Sequence, residues 1–243
     1  MSIQETTTIA PLKNVAICNR LLEGAMNRPD HLPGIVCLSG PSGWGKTFAA
    51  SYTANKHRAY YVECRSCWTR KALLQAICKE IGVQPAATIS EMVEQVAEQL
   101  ILSGRPLIID EMDHLVDKCA VEIVRDLYET SQSPILLIGE EQFPAKLQRW
   151  ERFHNRVLEW GLAQPCDAKD AGHLAKLYVR DIAISDDLLE ALTRACKGAA
   201  RRICVNLDDI RRFAETEGLT TVSLANWGDR PFSTGTPPPR RAR

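Results

Sequence analysis

The sequence predicts an α/β fold: a five-stranded parallel sheet with helices on both faces, followed by a small all-helical unit. Between residues 35 and 160, short continuous apolar runs alternate with amphipathic helices, which is typical of strands buried on both sides. After Pro165 the pattern changes to helices alone. With 45% hydrophobic and 25% charged residues, the 243-residue chain has the composition of a globular protein.

The elements follow from spacing and from helix and turn signals. Strands are predicted over residues 35–38, 59–63, 106–110, 134–139 and 156–160. Helices are predicted over residues 14–26, 71–81, 92–101, 121–130, 168–181, 186–197 and 201–215, with another starting at Thr47. We therefore expect an N-terminal helix and linker (1–33), a sheet domain (34–164), a helical unit (165–227) and a disordered, Pro-rich basic tail (228–243).

Between the first strand and its helix lies a phosphate-binding loop of the form G-x-x-x-x-G-K-T. Its members are Gly40, Pro41, Ser42, Gly43, Trp44, Gly45, Lys46 and Thr47. Glycines let successive backbone N–H groups point at phosphate oxygens, and the helix N-terminus adds partial positive charge. Lys46 is placed to reach the β- and γ-phosphates, and the Thr47 hydroxyl to bind Mg²⁺. The motif predicts binding of ATP with Mg²⁺.

The third strand ends in two carboxylates, Asp110 and Glu111, in the form of a Walker B motif. Asp110 is the candidate Mg²⁺ ligand, and Glu111 is the candidate base that polarises the attacking water. Asp113 and His114, just beyond, are expected to be peripheral. Together with the phosphate loop, this pair predicts ATP hydrolysis.

The remaining composition limits the choice of function. The N-terminus lacks the apolar core of a signal peptide and no apolar run approaches the ~20 residues of a membrane span, so we expect a cytoplasmic protein without a membrane partner. Cys64 and Cys67 form a C-x-x-C pair without the second ligand pair that a structural zinc site needs. The formal net charge is zero, so any anionic partner must be recognised by a local surface.

The arginine placement resembles that of the AAA+ ATPases. By that resemblance Arg156, or secondarily Arg152, is an arginine finger that enters the neighbouring subunit's ATP site, and Arg201 is the sensor-2 arginine. One position departs from the family pattern: Glu140 follows the fourth strand, where sensor 1 is usually Asn, Thr, Ser or Gln. The departure leaves the sensor-1 role open and suggests slow hydrolysis.

Within that superfamily, residues 14–213 resemble the transposition regulators, the group of the phage Mu B protein, TnsC and TniB. The likeness includes GIVCLSGPSGWGKTFAASYTA, LIIDEMDHL and ILLIGEEQFPAKLQRWERFHNRV. It implies a homo-oligomer, ring or helical filament, that assembles with ATP on duplex DNA without sequence preference and delivers it to a transposase. DNA contacts would go to phosphates, and Arg65, Arg70 and Lys71 are the candidates because they cluster around Trp68 without an intervening acid.

Two alternatives remain at this point. A replication initiator or helicase loader shares the same core and also acts on DNA. A nucleotide-switch ATPase would bind a protein partner and no DNA. Salt-sensitive DNA binding in the presence of ATP separates the switch from the other two.

Overall fold

The computed structural model describes residues 10–235, which divide into two compact units. The larger comprises residues 14–42 and 46–163, and the smaller comprises residues 10–13, 43–45 and 164–235. The phosphate loop is therefore divided, because its central residues 43–45 group with the smaller unit.

The larger unit is built on a five-stranded parallel sheet. Its strands are β1 (Ile35–Ser39), β2 (Tyr60–Glu63), β3 (Leu107–Asp110), β4 (Ile135–Gly139) and β5 (Val157–Leu162). The strand order is β2-β3-β4-β1-β5, and every neighbouring pair is parallel. Every residue of β1, β3 and β4 is buried, as the continuous apolar runs predicted. The predicted parallel sheet is confirmed, with β5 extending two residues beyond its expected end.

Helices surround this sheet. They are α1 (Lys13–Met26), α2 (Lys46–His57), α3 (Arg70–Glu80), α4 (Ile89–Ser103), α5 (Asp113–Val116), α6 (Ala120–Ser131), α7 (Phe143–Leu147) and α8 (Glu151–His154). Two threonines start helices by accepting a backbone N–H: Thr69 caps α3, and Thr88 forms a capping box with Glu91 at α4. The short helices α5, α7 and α8 were not predicted, because four or five residues are too few to show a helical period.

The core lies on both faces of the sheet. On one face, Ile109 and Leu137 join a large cluster with residues of α3, α4 and α6. Their strand neighbours Ile108 and Leu136 point the other way and are also fully buried. On that second face Leu21 of α1 lies so close to β5 that a Cβ on Gly161 would be 2.5 Å from its Cδ1.

The smaller unit contains α9 (Ala168–Tyr178), α10 (Asp186–Ala195), α11 (Ala200–Glu217) and α12 (Leu224–Trp227). Between them, β6 (Ala183–Ile184) and β7 (Thr221–Val222) form a parallel pair. The sequence predicted helices alone here, and strands of two residues carry no alternation that would have revealed them. None of the helices in residues 10–235 is long and apolar enough to cross a bilayer.

The chain beyond α12 packs on this unit as far as residue 235. Phe232 stacks on Trp227 with ring centroids 5.7 Å apart. The Asn206 side chain, 1% exposed, donates to the Ser233 carbonyl at 3.0 Å and accepts from the Ser233 N–H at 2.7 Å. The prediction of disorder therefore fails for residues 228–235, because a buried amide and an aromatic ring hold them. The remaining tail, 236–243, lies outside the described residues.

Candidate nucleotide-binding site

The phosphate loop joins the carboxyl end of β1 to the first turn of α2. Gly43 and Gly45 have φ of +80° and +84°, in the left-handed region that residues with a Cβ rarely adopt. The motif glycines are thus required by the backbone path. Thr47, exposed in the first turn of α2, offers a hydroxyl oxygen.

Gly40 is required for a different reason, a close approach between β1 and the residue after β5. The Ala163 N–H donates to the Ser39 carbonyl at 2.8 Å. A Cβ placed on Gly40 would lie 2.7 Å from the Ala163 Cβ, closer than two such carbons come. Ala163 therefore sets the path by which the chain leaves β1 and enters the loop.

Gly40→Ala should lower the free energy of unfolding by about 1–3 kcal/mol, because the new methyl group overpacks against Ala163. Denaturant unfolding of Gly40→Ala, Ala163→Gly and the double variant would measure this. Ala163→Gly removes the opposing carbon, so the double variant should be more stable than the sum of the two single effects. Simple additivity would show that the contact does not govern this position.

Lys46 is the buried cation of the loop. Its side chain is folded back onto the loop, where Nζ donates to the Gly40 carbonyl at 2.6 Å and the Pro41 carbonyl at 3.0 Å. Burial lowers the pKa of Lys46, and the nearby carboxylates of Glu111 and Asp110 act in the opposite direction. The same ammonium group could exchange loop carbonyls for phosphate oxygens.

Asp110 is held rigidly at the end of β3, where it is 1% exposed. Its Oδ1 accepts the N–H of Glu111 at 2.8 Å, and its Oδ2 accepts the Tyr61 hydroxyl at 3.1 Å. With the Thr47 hydroxyl it supplies hard oxygen donors of the kind Mg²⁺ prefers. Residues 10–235 contain no cluster of three His, Cys, Asp or Glu side chains that could hold a metal ion. Mg²⁺ commonly takes only one or two ligands from the protein, with phosphates and water as the others, so Asp110 and Thr47 fit it.

Glu111 has an unusual backbone. Its φ of 53° lies in the left-handed region, which costs a residue with a side chain about 1 kcal/mol or more. Burial, followed by the charges of Asp110 and Asp113, raises the pKa of Glu111. A strained, half-buried carboxylate with a raised pKa is what a general base at this position requires.

Asp113, expected to be peripheral, is instead part of the site. It is 5% exposed at the start of α5, and its Oδ1 accepts the N–H of Glu140 at 2.8 Å. The Met112 N–H also donates to the Ile138 carbonyl at 2.9 Å. These bonds tie the end of β3 to the end of β4. The only sequence signal for Asp113 was its position three residues after Asp110. Its partner, the Glu140 N–H, follows another strand and could not be predicted from that spacing.

Glu140 occupies the position after β4 where the sequence raised the question of sensor 1. Its charge is near enough to favour the protonated form of Lys46. Since β4 lies between β3 and β1 in the sheet, the ends of three successive strands bring Asp110, Glu140 and the phosphate loop to one edge. The departure from the family pattern thus falls within the candidate site.

Arg201 stands in the first turn of α11 and contacts the loop residues of the smaller unit. Its backbone N–H donates to the Gly43 carbonyl at 3.2 Å, and its Cβ would be 3.8 Å from a Cβ on Gly43. The guanidinium is exposed. The Arg201 backbone is therefore fixed beside Gly43 within the smaller unit.

Comparisons with known proteins agree with this architecture. Residues 30–147, a little under half of the chain, match the family model of the AAA domain. The ORC2 protein of Aeropyrum pernix (ADPNP-ADP complexes) is similar with a TM-score of 0.67 and 16% identity, over 88% of this chain and 65% of that chain. The protein has the AAA+ P-loop fold.

Two further solved structures share that AAA+ fold. Cdc6p of Pyrobaculum aerophilum has a TM-score of 0.66 and 14% identity, over 91% of this chain and 66% of that chain. The ORC1 protein of A. pernix in complex with DNA has a TM-score of 0.62 and 18% identity, over 90% of this chain and 64% of that chain. This chain spans slightly less than two thirds of each of these structures. No curated protein matches the sequence.

The two finger candidates of the AAA+ fold lie away from the phosphate loop of their own chain. Arg156 lies at the amino end of β5, whereas the loop follows the carboxyl end of neighbouring β1, and its guanidinium pairs with Glu129 at 3.0 Å. Arg152 is exposed in α8 and has no ion-pair partner within residues 10–235.

The three candidate DNA contacts follow β2, at the edge of the sheet. Arg65 and Arg70 are exposed, whereas Lys71 also donates to the Ala87 carbonyl at 2.8 Å. Trp68 is partly buried and packs against the core. In the same loop Cys64 is buried and Cys67 exposed, and no metal cluster within residues 10–235 includes them.

Proposed function

We propose that this protein binds and hydrolyses ATP and assembles, when ATP is bound, on duplex DNA without sequence preference. The observation that carries the proposal is the convergence of the phosphate loop, Asp110 and Glu111 at one edge of the sheet. The ORC2 protein of A. pernix, which has the same fold and was solved as ADPNP-ADP complexes, supports nucleotide binding.

Different residues of the chain would bind the phosphates, hold Mg²⁺ and activate the attacking water. Loop N–H groups and Lys46 would hold the phosphates, while Thr47 and Asp110 would hold Mg²⁺. When bound, that ion neutralises charge on the phosphate oxygens. Glu111 would accept a proton from the attacking water, and Arg201 and a neighbour's Arg156 or Arg152 would face the charge that develops on the γ-phosphate.

Intrinsic hydrolysis should be slow, and a partner should stimulate it. Glu140 adds a negative charge at the sensor-1 position, where the γ-phosphate is also negative, and repulsion there opposes tight placement of the phosphate. A partner that shifts the end of β4 could relieve that repulsion. The bond between Asp113 and the Glu140 backbone would transmit such a shift to Glu111.

Duplex DNA is the proposed polymer partner. Arg65 and Arg70 present two exposed guanidinium groups after β2, and the ORC1 protein of the same fold has been solved with DNA. Contacts from flexible cations to phosphates do not read sequence.

For the step after DNA binding we propose delivery of the DNA to a transposase, which the resemblance to transposition regulators supports. A replication initiator or helicase loader is the second candidate, favoured by the similarity to ORC and Cdc6 structures. Stimulation of strand transfer by a purified transposase supports the first. Loading of a helicase without that stimulation supports the second.

DNA binding with a non-hydrolysable ATP analogue should fall steeply with salt, and Arg65→Ala/Arg70→Ala should weaken it. Fluorescence anisotropy of a labelled duplex would measure affinity over a salt series. Loss of two phosphate contacts should reduce the slope of log K against log salt by about 2.

Lys79→Ala/Arg194→Ala is the matched control, because it removes two exposed basic residues outside that loop and should leave the slope unchanged. Binding that is absent in the wild type with the ATP analogue would overturn the DNA proposal and favour a nucleotide switch with a protein partner.

A further inference from the structure

The smaller unit contains a groove of about 910 Å³ with basic residues along one wall. Lys169, His173 and Lys176 recur every three or four residues, so they lie on one side of α9, and Arg180 follows two residues after that helix ends at Tyr178. Lys169, Lys176 and Arg180 are exposed and form no ion pair with any residue between 10 and 235. This stripe of unpaired positive charge is the basic wall of the groove.

The rest of the groove indicates what kind of partner would fill it. Its apolar residues, here called the floor, include Val179, Ile184 and Leu189, and the groove is also lined by the carboxylates of Asp181, Asp186 and Glu190. Three carboxylates in the groove would repel a continuous polyanion, which argues against duplex DNA. An apolar floor beside a row of cations suits an amphipathic protein helix with an acidic stripe.

The outer face of α4 has that chemistry. Glu94 and Glu98 are exposed one turn apart and form no ion pair with any residue in the described range. One turn further, Ile101 and Leu102 are 56% and 70% exposed, which is unusual for large aliphatic side chains. The opposite face of α4 is buried against the core through Met92, Val96 and Leu100.

We propose that α4 of one copy docks in the groove between α9 and α10 of the next copy. Glu94 and Glu98 then face the basic wall, and Leu102 covers the apolar floor. Glu94 and Glu98 are one turn apart on α4, and Lys169, His173 and Lys176 are three to four residues apart on α9, so each of the two carboxylates has a basic side chain to meet. The surfaces differ, so the contact is head-to-tail and can extend into a ring or filament. This inference rests on the assembly proposed above and assigns the surfaces that form it.

Charge reversal tests the contact directly. Glu94→Lys/Glu98→Lys and Lys169→Glu/Lys176→Glu should each raise the concentration needed for ATP-dependent assembly by at least about tenfold, since attraction becomes repulsion. Sedimentation or light scattering with an ATP analogue would measure it. A one-to-one mixture of the two variants should assemble like the wild type, because alternating copies pair reversed with reversed and native with native surfaces. The four changes in one chain should restore assembly as well.

Asp30→Lys/Glu217→Lys, which makes the same change in charge as Glu94→Lys/Glu98→Lys at exposed positions elsewhere, should assemble like the wild type. At ~1 M salt the Debye length is about 3 Å, so the concentration that each charge-reversal variant needs for assembly should approach that of the wild type. If the wild-type chain assembles and both charge-reversal variants assemble equally well, the proposed docking surface is wrong. It is also wrong if neither the one-to-one mixture nor the combined variant regains assembly. If the wild type itself does not assemble with ATP, the proposed function fails instead, so the two failures are distinguishable.

Discussion

Lys46→Ala should abolish ATP binding, with an expected loss of affinity of at least about 100-fold, and with it all ATP-dependent assembly. The reason is that an ammonium group contacting two phosphates makes charge-assisted hydrogen bonds, each worth about 1.5–3 kcal/mol. Isothermal titration with ATP and Mg²⁺ would measure the affinity, and sedimentation with the ATP analogue would measure assembly.

The same substitution should not harm the fold. Burial lowers the pKa of Lys46, so the charged side chain is held at some cost in desolvation. The loss of its two hydrogen bonds to loop carbonyls opposes the gain from relieving that cost, so the melting temperature should change little. Lys56→Ala, at the other end of α2 in an exposed pair with Glu23, is the matched control and should bind ATP normally. Unaltered ATP binding by Lys46→Ala would contradict the assignment of the phosphate loop.

The sequence sufficed for the sheet and the loop because both have local signals. A strand buried on both sides is a continuous apolar run, which is how β1, β3 and β4 could be recognised. The loop glycines are set by backbone angles that other residues avoid, so their spacing is visible in one dimension. The order of the strands in the sheet has no such local signal, since it depends on which strands pair.

The parts that escaped prediction are contacts between distant residues. Asp113 matters through the backbone of Glu140, and Gly40 through the methyl group of Ala163. Arg156 was predicted from its place before β5, but its ion pair with Glu129 on α6 required the folded chain. The Pro-rich composition predicted disorder after α12, but it could not show that buried Asn206 holds Ser233.

Glu111→Gln should keep ATP binding and slow hydrolysis by about 10²–10⁴-fold. The amide has the same length and can occupy the same strained backbone, but it cannot accept the proton from water. Single-turnover hydrolysis, with protein in excess over ATP and well above its dissociation constant, would separate chemistry from binding. His114→Gln is the control, because His114 lies 3.9 Å from Glu111 and should change the rate little if it only adjusts that carboxylate. Near-normal hydrolysis by Glu111→Gln would exclude it as the base.

The same variant can identify the arginine finger. A chain with Glu111→Gln keeps its arginines, and a chain with Arg156→Ala or Arg152→Ala keeps its base. In an equal mixture, about a quarter of the interfaces combine an intact base with an intact finger, so hydrolysis should recover to that level if the finger acts between copies. The ion pair of Arg156 with Glu129 is exposed and costs less than about 1 kcal/mol to break, so it does not decide between the two arginines. Whichever arginine variant is inactive alone and rescued in the mixture is the finger. An arginine variant that is inactive alone and not rescued acts within its own chain, which would be unexpected for Arg156 because it lies at the amino end of β5 while the loop follows the carboxyl end of β1.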